Sequence, residues 1–201
     1  MKSSLPVSSS GSSSKEELVI EHVDDTSAFH NFYCGVSSMD QFIHGALEQS
    51  VKNHFCQLYS VTIDGEVVAL FSLTFDSLTL DFDDKEELQI TGSVHVPELY
   101  EEVFWDKQHY PALEISYLAV REDFRCRGLG KEIIEIIADK AASQQIGGCQ
   151  FLTVEAYREH SPESSYSAIG FYHKVNFAPC EYPNPYNDTL RMFRPLYYKA
   201  N

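Results

Sequence analysis

Residues 113–142 read LEISYLAVREDFRCRGLGKEIIEIIADKAA, and the reading of this stretch decides the fold. Its first part has the composition of a β-strand, with Ile115, Tyr117, Leu118 and Val120 in one short run. Its last part has helical spacing, with Leu129, Ile133, Ile136, Ile137 and Ala141 on one apolar face. Between them lies Arg125-Cys126-Arg127-Gly128-Leu129-Gly130. Glycine at a strand-to-helix junction lets backbone approach a ligand that a Cβ would exclude. The first turn of a helix leaves N–H groups unpaired at the positive end of the helix dipole. Together these features predict a pyrophosphate cradle fed by a strand. The residues alone leave open an ordinary strand–helix turn whose glycines serve close packing. A P-loop is excluded, because no Gly-Lys-Ser/Thr with its leading glycine is present. A dinucleotide fingerprint fits poorly, because the glycines are too few and the loop before them too long.

The stretch resembles motif A of the GNAT N-acetyltransferases. That pattern is Arg or Gln, two residues, Gly, one residue, then Gly or Ala, after a strand ending Leu-x-Val. Leu118-Ala119-Val120 and Arg125-x-x-Gly128-x-Gly130 fill every place. The resemblance implies an α/β (α+β) acyl-CoA N-acyltransferase fold. Its mixed, mostly antiparallel sheet has splayed central parallel strands and flanking helices. It also implies acetyl-CoA as co-substrate. Backbone groups of Arg125, Cys126, Arg127, Gly128, Leu129, Gly130 and Lys131 then cradle the pyrophosphate. Leu118, Ala119 and Val120 bond the pantetheine arm as a further strand would, and an N–H among them polarises the thioester carbonyl.

Transfer of an acetyl group to an amine also needs an acid for the leaving thiolate and a base for the amine. Phe171-Tyr172-His173-Lys174-Val175-Asn176-Phe177 looks like the family's Phe-Tyr-x-x-x-Gly-Phe. The resemblance makes Tyr172 the general acid beside the thioester sulfur, a role that suits a phenol whose ordinary pKa is about 10. Read alone, Tyr172 is equally an aromatic packing residue, one of 12 tyrosines in the chain. Asn176 stands where the family has Gly. Asn is the next best residue for a left-handed helix terminator. Glu114 lies six residues before Val120, where the histone-acetyltransferase branch carries its base. It reads either as that base or as a strand-end carboxylate in solvent. His173 and His160 are weaker candidates, and no metal-ligand spacing occurs.

The 201 residues suit one domain over 18–201, preceded by a Ser-rich, disordered tail over 1–17. No apolar run spans a membrane, and the first residues lack the apolar core of a signal peptide. Five scattered cysteines without C-x-x-C spacing read as reduced thiols of a cytoplasmic protein. Residues 1–110 hold 5 Lys+Arg against 19 Asp+Glu, and residues 111–201 hold 10 against 11. The net charge of −15 disfavours nucleic acid as a partner. That acidity either maintains solubility or favours cationic substrates. The resemblance implies acetyl-CoA and an amine acceptor, small molecule or protein, as partners, and a homodimer stays open. Two further readings remain: a module that binds acetyl-CoA or a protein without turnover, and a toxin acetylating aminoacyl-tRNA.

Along the chain, residues 17–23 read as a strand and 24–36 as a loop with Phe29, Phe32 and Tyr33 packed beneath it. Ser38-Met39-Asp40-Gln41 has the form of a capping box, predicting a helix over 38–53. Phe32-Tyr33-Cys34-Gly35 followed by Met39-Asp40-Gln41-Phe42-Ile43 is similar to the start of the GNAT branch that includes aminoacyl-tRNA-acetylating toxins. Strands over 57–63 and 66–75 flank Asp64-Gly65, a hairpin signal. Residues 81–87 read as an acidic surface segment, and 96–104 as a short helix opened by Pro97. The long connection over 76–111 is a candidate wall of an acceptor site. Gly147-Gly148 closes the cradle helix region, and a strand over 149–156 returns parallel to 113–120. Residues 158–165 read as a polar loop and 167–174 as a helix. A strand opens at Phe177, and a last strand over 190–197, read as an edge strand from Pro195, completes the order.

Overall fold

The computed structural model describes residues 18–90, 98–145, 147–159, 166–180 and 186–196. The tail over 1–17, Pro97, His160 and Tyr197 lie outside the described residues. The strands are β1 (Leu18–Val23), β2 (Gln57–Ile63), β3 (Glu66–Thr79), β4 (His109–Val120), β5 (Phe151–Tyr157), β6 (Ala178–Pro179) and β7 (Thr189–Pro195). They form a mixed sheet in the order β1-β2-β3-β4-β5-β7-β6. β4 and β5 pair in parallel, and β1–β2, β2–β3, β5–β7 and β6–β7 are antiparallel. The helices are α1 (Ser37–Gly45), α2 (Leu47–Lys52), α3 (Phe82–Ile90), α4 (Glu101–Asp106), α5 (Leu129–Ser143) and α6 (Ile169–Lys174). The chain divides into two compact units, residues 1–74 with 115–132, and residues 75–114 with 133–201.

In the first unit, Asp64 and Gly65 take φ values of 51° and 82°, as the tight turn between β2 and β3 requires. Phe29, Leu47, Leu58, Val61, Leu70 and Ile115 are buried and form its apolar interior. In the second unit, Leu78, Leu80, Leu88, Phe104, Tyr110, Ala112, Phe151 and Phe193 pack into one cluster. β5 is buried from Phe151 through Val154, Thr153 included, as in a strand covered on both faces. Arg194 grips Glu135 with two parallel hydrogen bonds of 3.0 and 2.8 Å, tying β7 to α5.

Several local readings are corrected. The helix expected over 38–53 breaks into α1 and α2 at Ala46, where φ is −112°, just after Gly45 loosens the helix interior. Ser38 does not cap it. Ser38 falls inside α1, whose N-cap is Val36, and the carboxylate of Asp40 accepts the N–H groups of Cys34 (2.8 Å) and Gly35 (3.2 Å) in the segment before the helix. Phe29 and Phe32 are buried as expected, but Tyr33 is 56% exposed and its ring lies 4.8 Å from that of His44. Residues 81–87, expected as an acidic surface segment, are mostly exposed and also begin a helix, which the sequence did not suggest. Asp81 and Asp84 each accept the other's N–H at 2.9 Å, and the two N–H groups they satisfy set the start of α3. The cradle helix ends at Ser143, before Gly147-Gly148, with the Ser143 hydroxyl turned back on the Asp139 carbonyl. β7 is not an edge strand. It lies between β5 and the two-residue β6, and Pro195 is tolerated as its last residue.

Candidate active site

β4 carries the first part of the site. Its ladder with β5 covers Ala112 to Glu114. Further along, Arg121 donates its N–H to the Val68 carbonyl on β3 at 2.8 Å. Successive residues of a strand point their backbone groups to opposite edges. The N–H groups of Leu118 and Val120 therefore face away from β3, while Ala119 is buried and faces it.

The cradle follows. A 3₁₀ turn over Glu122–Phe124 leads into it, and Cys126 and Gly128 adopt φ values of 60° and 88°. Gly128 is exposed, and a Cβ there meets no protein atom within 4 Å. Its requirement for glycine therefore comes from the backbone angle and from whatever the loop holds, not from packing. Glu132 donates the first helical N–H bond, to Gly128 at 3.1 Å. The N–H groups of Leu129, Gly130 and Lys131 precede it in the first turn, where a helix supplies no acceptor.

The basic side chains around the loop divide in role. Arg121 pairs with Asp123 (2.7 Å) and Glu66 (3.2 Å), and Asp123 in turn has its carboxyl held below the usual carboxylate range. Arg125 donates to the Cys34 carbonyl at 3.1 Å, so the motif's arginine anchors the loop to the segment before α1. Arg127 and Lys131 are exposed, with Arg127 over the ring of Phe124 at 4.9 Å. The anchoring segment is stitched further. Glu122 donates to the Tyr33 carbonyl at 3.1 Å, and the Glu122 side chain approaches to 3.0 Å of where a Cβ on Gly35 would stand. Beside it an open groove of about 480 Å³ is lined by Tyr33, Gly35, Ser37, Asp40, Gln41 and His44. The anchoring role of residues 33–35 went unread in the sequence. Its signal was a glycine just before an Asp-bearing helix start.

In the second unit, Tyr172 is 6% exposed at the end of α6. Phe177 donates to the Tyr172 carbonyl at 3.0 Å and Asn176 to that of His173 at 3.2 Å, with Asn176 at φ 67°. This is a Schellman terminator, and its customary apolar contact is the Tyr172–Phe177 ring pair at 5.3 Å. The spacing in Phe-Tyr-x-x-x-Asn-Phe is thus the geometry that fixes the tyrosine. Arg194 adds a hydrogen bond to the Val175 carbonyl at 3.2 Å, linking the terminator to Glu135. Burial pushes the Tyr172 phenol well above its ordinary value, so it keeps its proton at any physiological pH. His173 is exposed, on a different side of the helix. Asn176→Gly is expected to leave stability nearly unchanged, whereas Asn176→Val should cost about 1–2 kcal/mol, because a β-branched residue resists positive φ. Urea unfolding of the two variants checks this.

Glu114 is half-buried on β4, level with Thr153 of β5. The Thr153 hydroxyl bonds the carboxylate of Asp76, which also receives Arg191 at 2.8 Å, and Arg191 reaches Glu155 at 3.3 Å. Glu114 therefore stands in register with a polar network rather than at a solvated strand end.

All five cysteines are free thiols, and burial pushes that of Cys34 up to about 12. Among the described residues no cluster has metal-ligand geometry, and no helix is long and apolar enough to cross a membrane.

The sequence profile of the acetyltransferase (GNAT) family matches residues 28–177, and the chain belongs to that family. It is thus an acetyltransferase of the class whose co-substrate is acetyl-CoA. No curated protein matches it in sequence. Among solved structures, one described as a bacterial toxin is 16% identical with a TM-score of 0.63, covering 96% of this chain and 92% of that one. AtaTR bound with AcCoA is 18% identical, TM-score 0.57, covering 89% and 93%. AtaT complexed with acetyl-methionyl-tRNAfMet is 18% identical, TM-score 0.57, covering 89% and 95%. At such identities the likeness concerns the fold.

Proposed function

We propose that this protein transfers the acetyl group of acetyl-CoA to a primary amine on a small molecule or protein. The observation that carries the reading is the exposed Cys126–Gly128 turn at positive φ, opening directly onto the N-terminus of α5. Its N–H groups and those of Leu129, Gly130 and Lys131 hold the pyrophosphate, with Arg127 and Lys131 supplying charge. The outward N–H groups of Leu118 and Val120 hold the pantetheine arm, and one polarises the thioester carbonyl. The amine nitrogen attacks that carbon while Glu114, or a water it orders, takes the amine's proton. The tetrahedral adduct collapses, the C–S bond breaks, and Tyr172 gives its phenolic proton to the thiolate.

The fold likeness to AtaT, seen with acetyl-methionyl-tRNAfMet, keeps aminoacyl-tRNA as a second acceptor class. The acidic half of the chain speaks against it, since docking tRNA calls for a basic surface. Acetyl-CoA consumption screened against simple amines, polyamines, peptides and aminoacyl-tRNA separates the readings. Turnover is expected with one of the first three. Turnover confined to aminoacyl-tRNA, with tight and salt-dependent tRNA binding, overturns the acceptor assignment. Tight acetyl-CoA binding without turnover on any amine favours a silent binding module. In the same assay Glu114→Gln should alter the low-pH limb of the rate profile. An unaltered limb leaves the base to another group.

A further inference from the structure

β7 carries two arginines that leave the sheet on opposite faces. Arg191 stands opposite Glu155 on β5 and bonds that carboxylate at 3.3 Å and Asp76 at 2.8 Å. Arg194, three residues on, stands opposite Leu152, which is fully buried. Residues an odd number apart on a strand point to opposite faces, and cross-strand partners share one. Arg194 therefore leaves the sheet on a covered face, and its side chain is only 12% exposed. A guanidinium withdrawn from water needs acceptors for its donors.

Three acceptors meet it. The two carboxylate oxygens of Glu135 on α5 take one N–H each, and the Val175 carbonyl takes a further one at 3.2 Å. Val175 is the C-cap of α6, and a carbonyl there has no helical N–H to accept. Its peptide plane leads directly into Asn176, the residue at positive φ. The Tyr172 carbonyl accepts the N–H groups of Val175 at 3.1 Å and Phe177 at 3.0 Å, one on each side of that plane. The Tyr172 ring is fixed in turn by Phe171 and Phe177, at 5.1 and 5.3 Å between centroids. Glu135, Arg194, the terminator and the main chain of Tyr172 thus form one connected set of bonds.

We propose that Arg194, held by Glu135, is a positioning residue for Tyr172; this rests on the assignment of Tyr172 as the acid. Arg194 touches no reacting atom and acts through the Val175 peptide. α6 has six residues, too few for its own ladder to hold its end firmly. The terminator must therefore be held from outside, and a tyrosine displaced by about 1 Å loses most of its value as an acid. Arginine suits the place because its planar fork grips a carboxylate with two N–H groups and still has one for the carbonyl, which an ammonium does poorly.

The test is a double-mutant cycle on the full chain. CoA thiol released from acetyl-CoA is followed with butylamine, spermidine, a lysine-bearing peptide and aminoacyl-tRNA in turn, and acetyl-CoA affinity is measured by calorimetry. Arg194→Met should lower kcat by about tenfold to a hundredfold with acetyl-CoA affinity unchanged. Arg194→Lys should recover part of the loss. In the Tyr172→Phe background, Arg194→Met should change kcat by less than about twofold, because the group it positions is already gone. Where Arg194→Met does not fold, Arg194→Lys and Glu135→Gln take its place in the cycle, each with a smaller loss. Unchanged kcat in these variants beside a slowed Tyr172→Phe overturns the positioning role alone. So does a loss of the same size in both backgrounds, or one matched by an equal loss of acetyl-CoA affinity, since either describes a merely structural residue. Unchanged turnover in Tyr172→Phe, or no thiol release with any of the four amines, brings down the acid assignment and this inference with it.

Discussion

Tyr172→Phe is expected to lower kcat and kcat/KM together, by about the 10²–10⁴-fold that a general acid contributes, with acetyl-CoA affinity unchanged. The variant removes one oxygen and keeps the ring, so the Tyr172–Phe177 contact and the Asn176 terminator persist. A loss that leaves binding untouched belongs to the transition state. Because burial holds the phenol above its ordinary value, the wild-type rate should show no loss from Tyr172 ionising as pH rises to about 9. Steady-state kinetics over that range, with calorimetry of acetyl-CoA binding, checks both parts. Unchanged turnover in the variant would reduce Tyr172 to a packing residue.

Gly128→Glu should abolish acetyl-CoA binding. The backbone there takes φ 88°, which a side chain resists, and a carboxylate placed at the cradle repels the pyrophosphate. No protein atom lies within 4 Å of the new Cβ, so the fold should survive and the loss should fall on the ligand. Gly128→Ala separates the two effects. It keeps the φ penalty, about 1–2 kcal/mol, and adds no charge, so binding should weaken rather than vanish. Calorimetry showing unchanged affinity in a folded Gly128→Glu protein would sink the loop assignment.

The readable parts of the sequence were those whose physics is local. Strand, glycine turn and amphipathic helix over 113–142 each leave a short-range pattern, and the structure follows them as β4, the Cys126–Gly128 turn and α5. Asp64-Gly65 and the left-handed Asn176 were legible for the same reason. The misreadings concern groups whose partners are chosen by tertiary structure or by a competing acceptor. Ser38 does not act as a cap because α1 already begins at Ser37, and Asp40 instead serves two N–H groups of the preceding loop. α3 was hidden because its apolar positions are few, although Asp81 and Asp84 stood at capping distance in the sequence. β7 was read as an edge from Pro195, whereas sheet order depends on where β6 returns. The network Asp76–Thr153–Arg191 joins three strands and leaves no trace in any short window.

The loop before α5, proposed to hold the cofactor, and the groove beside α1 share one set of stitches. Glu122 and Arg125 hold the carbonyls of Tyr33 and Cys34, and Asp40 holds the N–H groups of Cys34 and Gly35. A molecule that stills the loop therefore stills the wall of the groove too, and the entropy of that short segment is lost only once. Were each place to hold a molecule, linkage would require that occupancy of either change affinity at the other by one and the same factor. The order in which the two places fill would then be a property of hydrogen bonds made wholly within the protein.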